Sequence, residues 1–253
     1  MPDQKQLTLQ EQDGEYYLKI NGRQLMSSFG KSSELLLADL PCKSLARESA
    51  PRVLIGGLGL GFTLQRTLDL LGPGAIVHVA ELIPEVPVWN REYLGGINGR
   101  AVEDRRVTVF VEDVHDAIAR GHKEPYDAIM LDVDNGPVPF SADKNNRLYS
   151  GRGLRRISDA LKPGGRVAFW SACEDRVFAD RIYRAGFEVH AFEAKPHERA
   201  KQSPHRIYIG QKPVVPRDSA GKVQPTAAKP KRRLKKPLVN PYGPARFKMR
   251  QRD

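Results

Sequence analysis

Two cysteines in 253 residues, Cys42 and Cys173, exclude a disulfide framework and a thiolate metal centre; their sparse use points to a reducing compartment, the cytoplasm. No apolar run reaches the roughly 18 residues that a membrane span needs. The opening Met1-Pro2-Asp3-Gln4-Lys5 has no apolar segment behind it, so a secretory signal is not expected. The six histidines are scattered, and none stands at a metal-ligand spacing from another His or Cys, so no metal is expected. An excess of charge of either sign is missing from most of the chain. Residues 1–211 hold 28 basic and 28 acidic side chains, so the net +11 belongs to residues 212–253, with 13 Lys/Arg against 2 Asp/Glu. That tail also carries seven prolines and few apolar residues, a composition that cannot offset the entropy of ordering. It is expected to be disordered. Its Lys229–Pro237 block could neutralise nucleic-acid phosphates, against the plainer role of a solubilising extension. Tyr242 and Phe247 are the tail's only aromatics, which excludes a regular stacking platform for single strands.

What is present is a chain long enough for one large α/β domain with extensions. We expect residues 1–48 to form an N-terminal β-hairpin extension, 49–211 a nucleotide-binding domain and 212–253 the basic tail. In the first, Leu7–Gln12, Tyr16–Ile20 and Arg23–Ser28 read as strands separated by Asp13-Gly14 and Asn21-Gly22, both hairpin turn signals. Glu34–Leu40 reads as a short helix ended by Pro41. Beyond it, apolar runs at Arg52–Ile55, Ala75–Ala80, Val107–Val111, Ala128–Leu131 and Gly165–Trp170 alternate with helical patterns at Phe62–Leu71, Glu85–Tyr93, His115–Arg120 and Arg152–Leu161. A further helix over Glu174–Ala185 precedes strands at Phe187–Phe192 and Arg206–Ile209, which have no helix between them and should pair antiparallel. Buried strands separated by helices predict a doubly wound, mostly parallel seven-stranded Rossmann-like sheet.

Val53-Leu54-Ile55-Gly56-Gly57-Leu58-Gly59-Leu60-Gly61-Phe62 carries the clearest signal. Gly56, Gly57, Gly59 and Gly61 let the backbone turn from strand to helix and approach a ligand without a Cβ in the way. Glu81 ends the next strand, where a carboxylate accepts hydrogen bonds from a ribose diol, with Leu82 beside it. Glu112 and Asp113 follow the third strand, in reach of an adenine amino group, and Asp132 and Asp134 follow the fourth. Acids at successive strand ends converge on one crevice. The glycine pattern alone fits a dinucleotide fingerprint, a methyltransferase loop or a tight strand-to-helix junction.

Over residues 15–195 the chain resembles the spermidine synthase-like proteins, a branch of the class I S-adenosylmethionine-dependent methyltransferase fold. The segments that carry the resemblance are Val53–Gly57, Ala80-Glu81-Leu82, Glu112-Asp113-Val114, Tyr126–Asp132, Arg147-Leu148-Tyr149-Ser150 and Ala160–Gly165. The resemblance implies a sulfonium donor, S-adenosylmethionine or its decarboxylated form, with Glu81 on the ribose, Asp113 on the adenine and Asp132 as the catalytic aspartate. It also implies an amine or other small-molecule acceptor and frequent homodimers.

Three departures shift the expected activity. The family's aminopropyltransferases have an aspartate in the glycine loop that meets the donor amine; here Gly59 stands there. In the stretch that holds the family's acceptor, Lys31–Leu36, only Glu34 corresponds. The family's second aspartate is matched by Asp134 only with a shifted register. The expectation is therefore a transferase moving an alkyl group, methyl in preference, to a nucleophile. The alternatives are a true polyamine aminopropyltransferase, or a non-catalytic nucleoside-binding protein whose tail meets nucleic acid.

Overall fold

The computed structural model describes residues 7–133 and 147–214. The chain opens with three antiparallel strands, β1 (Leu7–Gln12), β2 (Glu15–Ile20) and β3 (Arg23–Ser27), in that spatial order. Asp13 and Asn21 take positive φ at the two turns, followed by glycines that do the same.

Helix α1 (Ser32–Cys42) leads to the main sheet. Its strands are β4 (Arg52–Gly56), β5 (Ile76–Glu81), β6 (Val107–Val111), β7 (Tyr126–Leu131), β8 (Leu161–Ser171), β9 (Glu188–Ala194) and β10 (His205–Gln211). They lie in the order β6-β5-β4-β7-β8-β10-β9. The first five are parallel, and β10 runs antiparallel to both β8 and β9, the pairing expected from the missing helix. The intervening helices are α2 (Phe62–Leu70), α3 (Glu85–Glu92), α4 (Gly95–Asn98), α5 (Val114–Arg120), α6 (Gly151–Asp159) and α7 (Arg176–Arg184).

Alternation along the strands divides the core between the two faces of the sheet. Val53, Ile55, Val77 and Met130 pack against Leu37 and Cys42 of α1 and Leu64 and Leu68 of α2. Leu54, Ile129, Val167 and Phe169 pack against Ile118 of α5, Leu154 and Ile157 of α6, and Phe178 and Ile182 of α7. A third cluster joins the small sheet to the domain: Leu18 and Met26 meet Leu60, Phe62, Trp89 and Leu94. At the sheet's N-terminal edge, Asp127 accepts the backbone N–H of Arg52 at 2.8 Å and the ammonium of Lys162 at 2.7 Å, tying β4, β7 and β8 together.

Two boundaries differ from expectation. Pro41 does not end α1, which runs one residue further and passes into a 3₁₀ turn over Lys43–Leu45. Pro41 gives up its own N–H bond to the preceding turn, and the helix ends one residue later, the Lys43 N–H closing it on the Asp39 carbonyl. The helix expected to reach Leu161 stops at Asp159, and Leu161 instead opens β8 opposite Tyr126, with a register shift on the β7 side that absorbs the Lys162–Gly165 stretch. No helix among the described residues is long and apolar enough to cross a membrane.

Chain order reverses between β4 and β7: β5 and β6 lie to one side, β8 to β10 to the other. In an open α/β sheet the crevice at such a switch point is where ligands bind. The glycine loop follows β4, and Asp132 follows β7, so both stand at its mouth.

Candidate active site

The glycine loop runs from Gly56 to Gly61. Gly56 closes β4 so tightly that a Cβ would lie 2.7 Å from Val114 and 2.8 Å from Leu131, so it serves packing of the sheet on α5. Gly57, Gly59 and Gly61 have φ of 88°, 52° and 85°, the left-handed region that favours glycine. A Cβ on Gly57 would also meet the backbone oxygen of Asp132 at 2.5 Å, which fixes the loop directly against the β7 end.

Glu81 is buried, and its carboxylate accepts the N–H of Leu58 at 2.8 Å and that of Ile83 at 2.9 Å. The expected ribose ligand therefore also holds the loop that would cradle the donor; each oxygen keeps a lone pair for a hydroxyl. Leu82, beside it, is 65% exposed, an apolar face left open at the rim. Asp113 is exposed and caps α5 by accepting the His115 N–H at 2.9 Å. Glu112 is drawn away to Arg120, which it pairs with through both oxygens.

On the other side of the switch point, Asp132 and Glu34 come together. Glu34, in the first turn of α1, is 7% exposed and accepts the Ser33 hydroxyl at 2.7 Å. Burial pushes its carboxyl above the ordinary carboxylate range. Asp132 is pushed up to about 8, first by burial and then by the charge of Glu34. Two carboxylates sharing a site resist joint ionisation and favour a cation between them. Asp134, matched to the family's second aspartate and expected to contact substrate, lies outside the described residues.

Sequence reasoning missed the residues that hold the loop from below. Asn90 of α3 and Asn98 of α4 are fully buried. Asn90 donates to the Gly59 carbonyl at 2.8 Å and to Val86 at 2.9 Å; Asn98 donates to the Leu60 carbonyl at 3.1 Å and to Asn90 Oδ1 at 2.8 Å. A Cβ on Gly61 would strike both side chains, at 2.6 and 2.7 Å. The available signal is that Asn90 lies four residues after Val86, on the buried stripe of α3, where a polar side chain needs a partner. Met26 of the small sheet was missed too; its sulfur is 2.8 Å from a Cβ placed on Gly59. Among the described residues no group of three or more His, Cys, Asp or Glu is placed to hold a metal.

No family model matches the chain. Its fold is that of the Rossmann-like, class I methyltransferase type. It superposes on the spermidine synthase of Thermotoga maritima with a TM-score of 0.58 at 16% identity, over 82% of this chain and 72% of that one. A probable spermidine synthase from Corynebacterium glutamicum gives 0.59 at 16%, over 81% and 76%. Human methyltransferase-like protein 13, in complex with SAH, gives 0.51 at 22%, over 71% and 79%. In sequence, the chain is 31% identical to the polyamine aminopropyltransferase of Shewanella oneidensis across 192 residues, 69% of this chain. The spermidine synthase-like resemblance is thus present in both sequence and fold, although the chain spans only 32% of that relative's length.

Two outcomes follow. Asn90→Ala leaves the Gly59 carbonyl without its buried donor and should cost about 1–3 kcal/mol in a urea titration. It should also weaken binding of S-adenosylhomocysteine more than Leu25→Ala does, an exposed site on the small sheet, as read by calorimetry. Asp132→Asn tests the carboxylate pair. A carboxyl that ionises near 4 when unfolded and near 8 when folded keeps a proton in the native state that the unfolded chain has lost, so stability falls as pH rises through that window. Asp132→Asn should melt higher than the parent at pH 8.5 and equally at pH 4.5, each kcal/mol being worth about 2–4 °C in a chain of this size.

Proposed function

We propose that the chain is a transferase that takes an alkyl group, methyl in preference, from S-adenosylmethionine and passes it to an amine. The observation that carries this reading is the convergence of the glycine loop, Glu81 and the Asp132–Glu34 pair on one switch-point crevice. Adenosine would lie along the rim, its ribose hydroxyls on Glu81 and its base between Leu82 and Asp113. The sulfonium would then face Asp132.

An ammonium entering between Asp132 and Glu34 relieves their repulsion. Asp132, once ionised, takes one proton from the ammonium, and the freed nitrogen lone pair attacks the methyl carbon in line with its bond to sulfur. The C–N bond forms as the C–S bond breaks, the electron pair staying on sulfur as the thioether. The donor brings its own leaving group, so the protein's contribution is chiefly position and the base, the latter worth about 10²–10⁴ in rate.

Support for the ordinary donor over the decarboxylated one comes from the loop. An aspartate in place of Gly59 would need a left-handed residue and the displacement of Met26. On the same side, the Lys31 ammonium lies 5.5 Å from the ring centre of Phe62, the first residue of α2. A cation over the first side chain of α2 suits a donor that retains its carboxylate. The similarity to the polyamine aminopropyltransferase of Shewanella oneidensis favours the second reading, aminopropyl transfer. A titration with both donors decides: S-adenosylmethionine should bind at least about tenfold more tightly than its decarboxylated form, and Lys31→Glu should narrow that gap, a tenfold ratio being about 1.4 kcal/mol. The opposite preference would make the chain an aminopropyltransferase, and binding of neither would remove it from the class.

A further inference from the structure

A second cavity, of about 450 Å³, opens between α5 and α6, bounded by Asp113, His115, Asp116 and His122 on one side and Arg147 and Arg156 on the other. A hollow of about 370 Å³ adjoins it and adds Arg152 and Ser150 to the shared wall of His115, Arg147 and Arg156. The first lies in the size range of small-molecule sites.

The charges in this wall are unspent. Arg66, Arg106 and Arg120 each pair with a carboxylate, whereas Arg147, Arg152 and Arg156 have none within ion-pair distance among the described residues. Arg152 and Arg156 stand four residues apart on α6, so their side chains leave the helix on one face. His115 lines both hollows, and its Nε2 is covered from solvent with no hydrogen-bond partner among the described residues. A buried polar atom without a partner is costly, and a ligand oxygen or N–H would satisfy it. Both carboxylates also have a use: Asp113 spends one oxygen on the His115 N–H, while Asp116 offers an acceptor. Guanidinium forks match phosphate oxygens in pairs, and carboxylates accept from hydroxyl and amino groups.

We propose that this cleft binds a phosphate-bearing ligand of nucleotide size, with the phosphate on Arg147, Arg152 and Arg156 and the sugar hydroxyls toward Asp116. The site is separate from the donor crevice except where Asp113 borders both, and it stands whether or not the chain transfers a methyl group. The ligand is either a free nucleotide or one unit of a nucleic-acid strand.

The test uses the full chain at low salt and a pyrimidine, so that the adenosyl crevice does not compete. Uridine monophosphate, uridine and a single-stranded RNA oligonucleotide are titrated by calorimetry against the parent and Arg152→Glu/Arg156→Glu, with Arg156→Gln as a milder variant should the double change lower the melting temperature. The monophosphate should bind at least about tenfold more tightly than uridine, and the double variant should lose that advantage, since it removes the charge-assisted bonds to the phosphate. RNA that binds more tightly than the monophosphate and is released by the same variants identifies a strand as the ligand; RNA no tighter than the monophosphate identifies a free nucleotide. Equal binding of uridine and its monophosphate, or affinity unchanged by the arginine variants, overturns the proposal. So does RNA binding that vanishes only when the tail's Lys229–Lys236 block is neutralised.

Discussion

The site depends on one short loop being held from two directions. Glu81 grips the Leu58 and Ile83 N–H groups from the rim, while Asn90 and Asn98 grip the Gly59 and Leu60 carbonyls from beneath. The Glu81 carboxylate and both amides are buried, so the bonds to the Leu58 N–H and the Leu60 carbonyl are made away from competing water. With its carbonyls turned inward, the loop is fixed in a left-handed conformation that only glycines take at little cost. The same clamp ties α3 and α4 to the strand-to-helix turn.

From that loop the rest follows by adjacency. Gly57 sits against the Asp132 backbone, so the β4 and β7 ends share one geometry. Helix α1 lies on the same face of the sheet as α2 and carries Glu34 to the carboxylate end of β7. The small sheet reaches over the loop through Met26 and Leu18. The cost is a pair of carboxyl groups held where neither ionises readily. Polar groups arranged against their own stability are common where a site is built for a ligand. Such a pair discriminates in favour of a positively charged partner before any contact with its carbon skeleton is made.

Much of this was legible in the residues alone. β-branched runs flanked by turn residues marked the strands, and Gly57, Gly59 and Gly61 marked the turn because positive φ restricts residue type so strongly. The antiparallel β9–β10 pair followed from a connection too polar for a helix. Glu34 was matched by resemblance, but its approach to Asp132 is a tertiary fact, set by how α1 crosses the sheet. Asn90 and Asn98 escaped because asparagine is common in turns and on surfaces, and only burial shows that their amides are committed to loop carbonyls. Leu161 was misplaced because an apolar residue after a helical stripe fits either element until its strand partner, Tyr126, is known. The arginines of α6 give no sign of a site along the chain, and only the neighbouring wall of α5 makes them part of a cleft.

The central claim is that an adenosyl ligand lies across this rim with its sugar on Glu81. A crystal structure of the chain grown with S-adenosylmethionine tests it most directly. The account predicts both ribose hydroxyls within hydrogen-bond distance of the Glu81 carboxylate, the loop unmoved, and the sulfonium facing Asp132. A donor bound elsewhere, or a crevice filled by the protein's own side chains with Glu81 turned away, would contradict it.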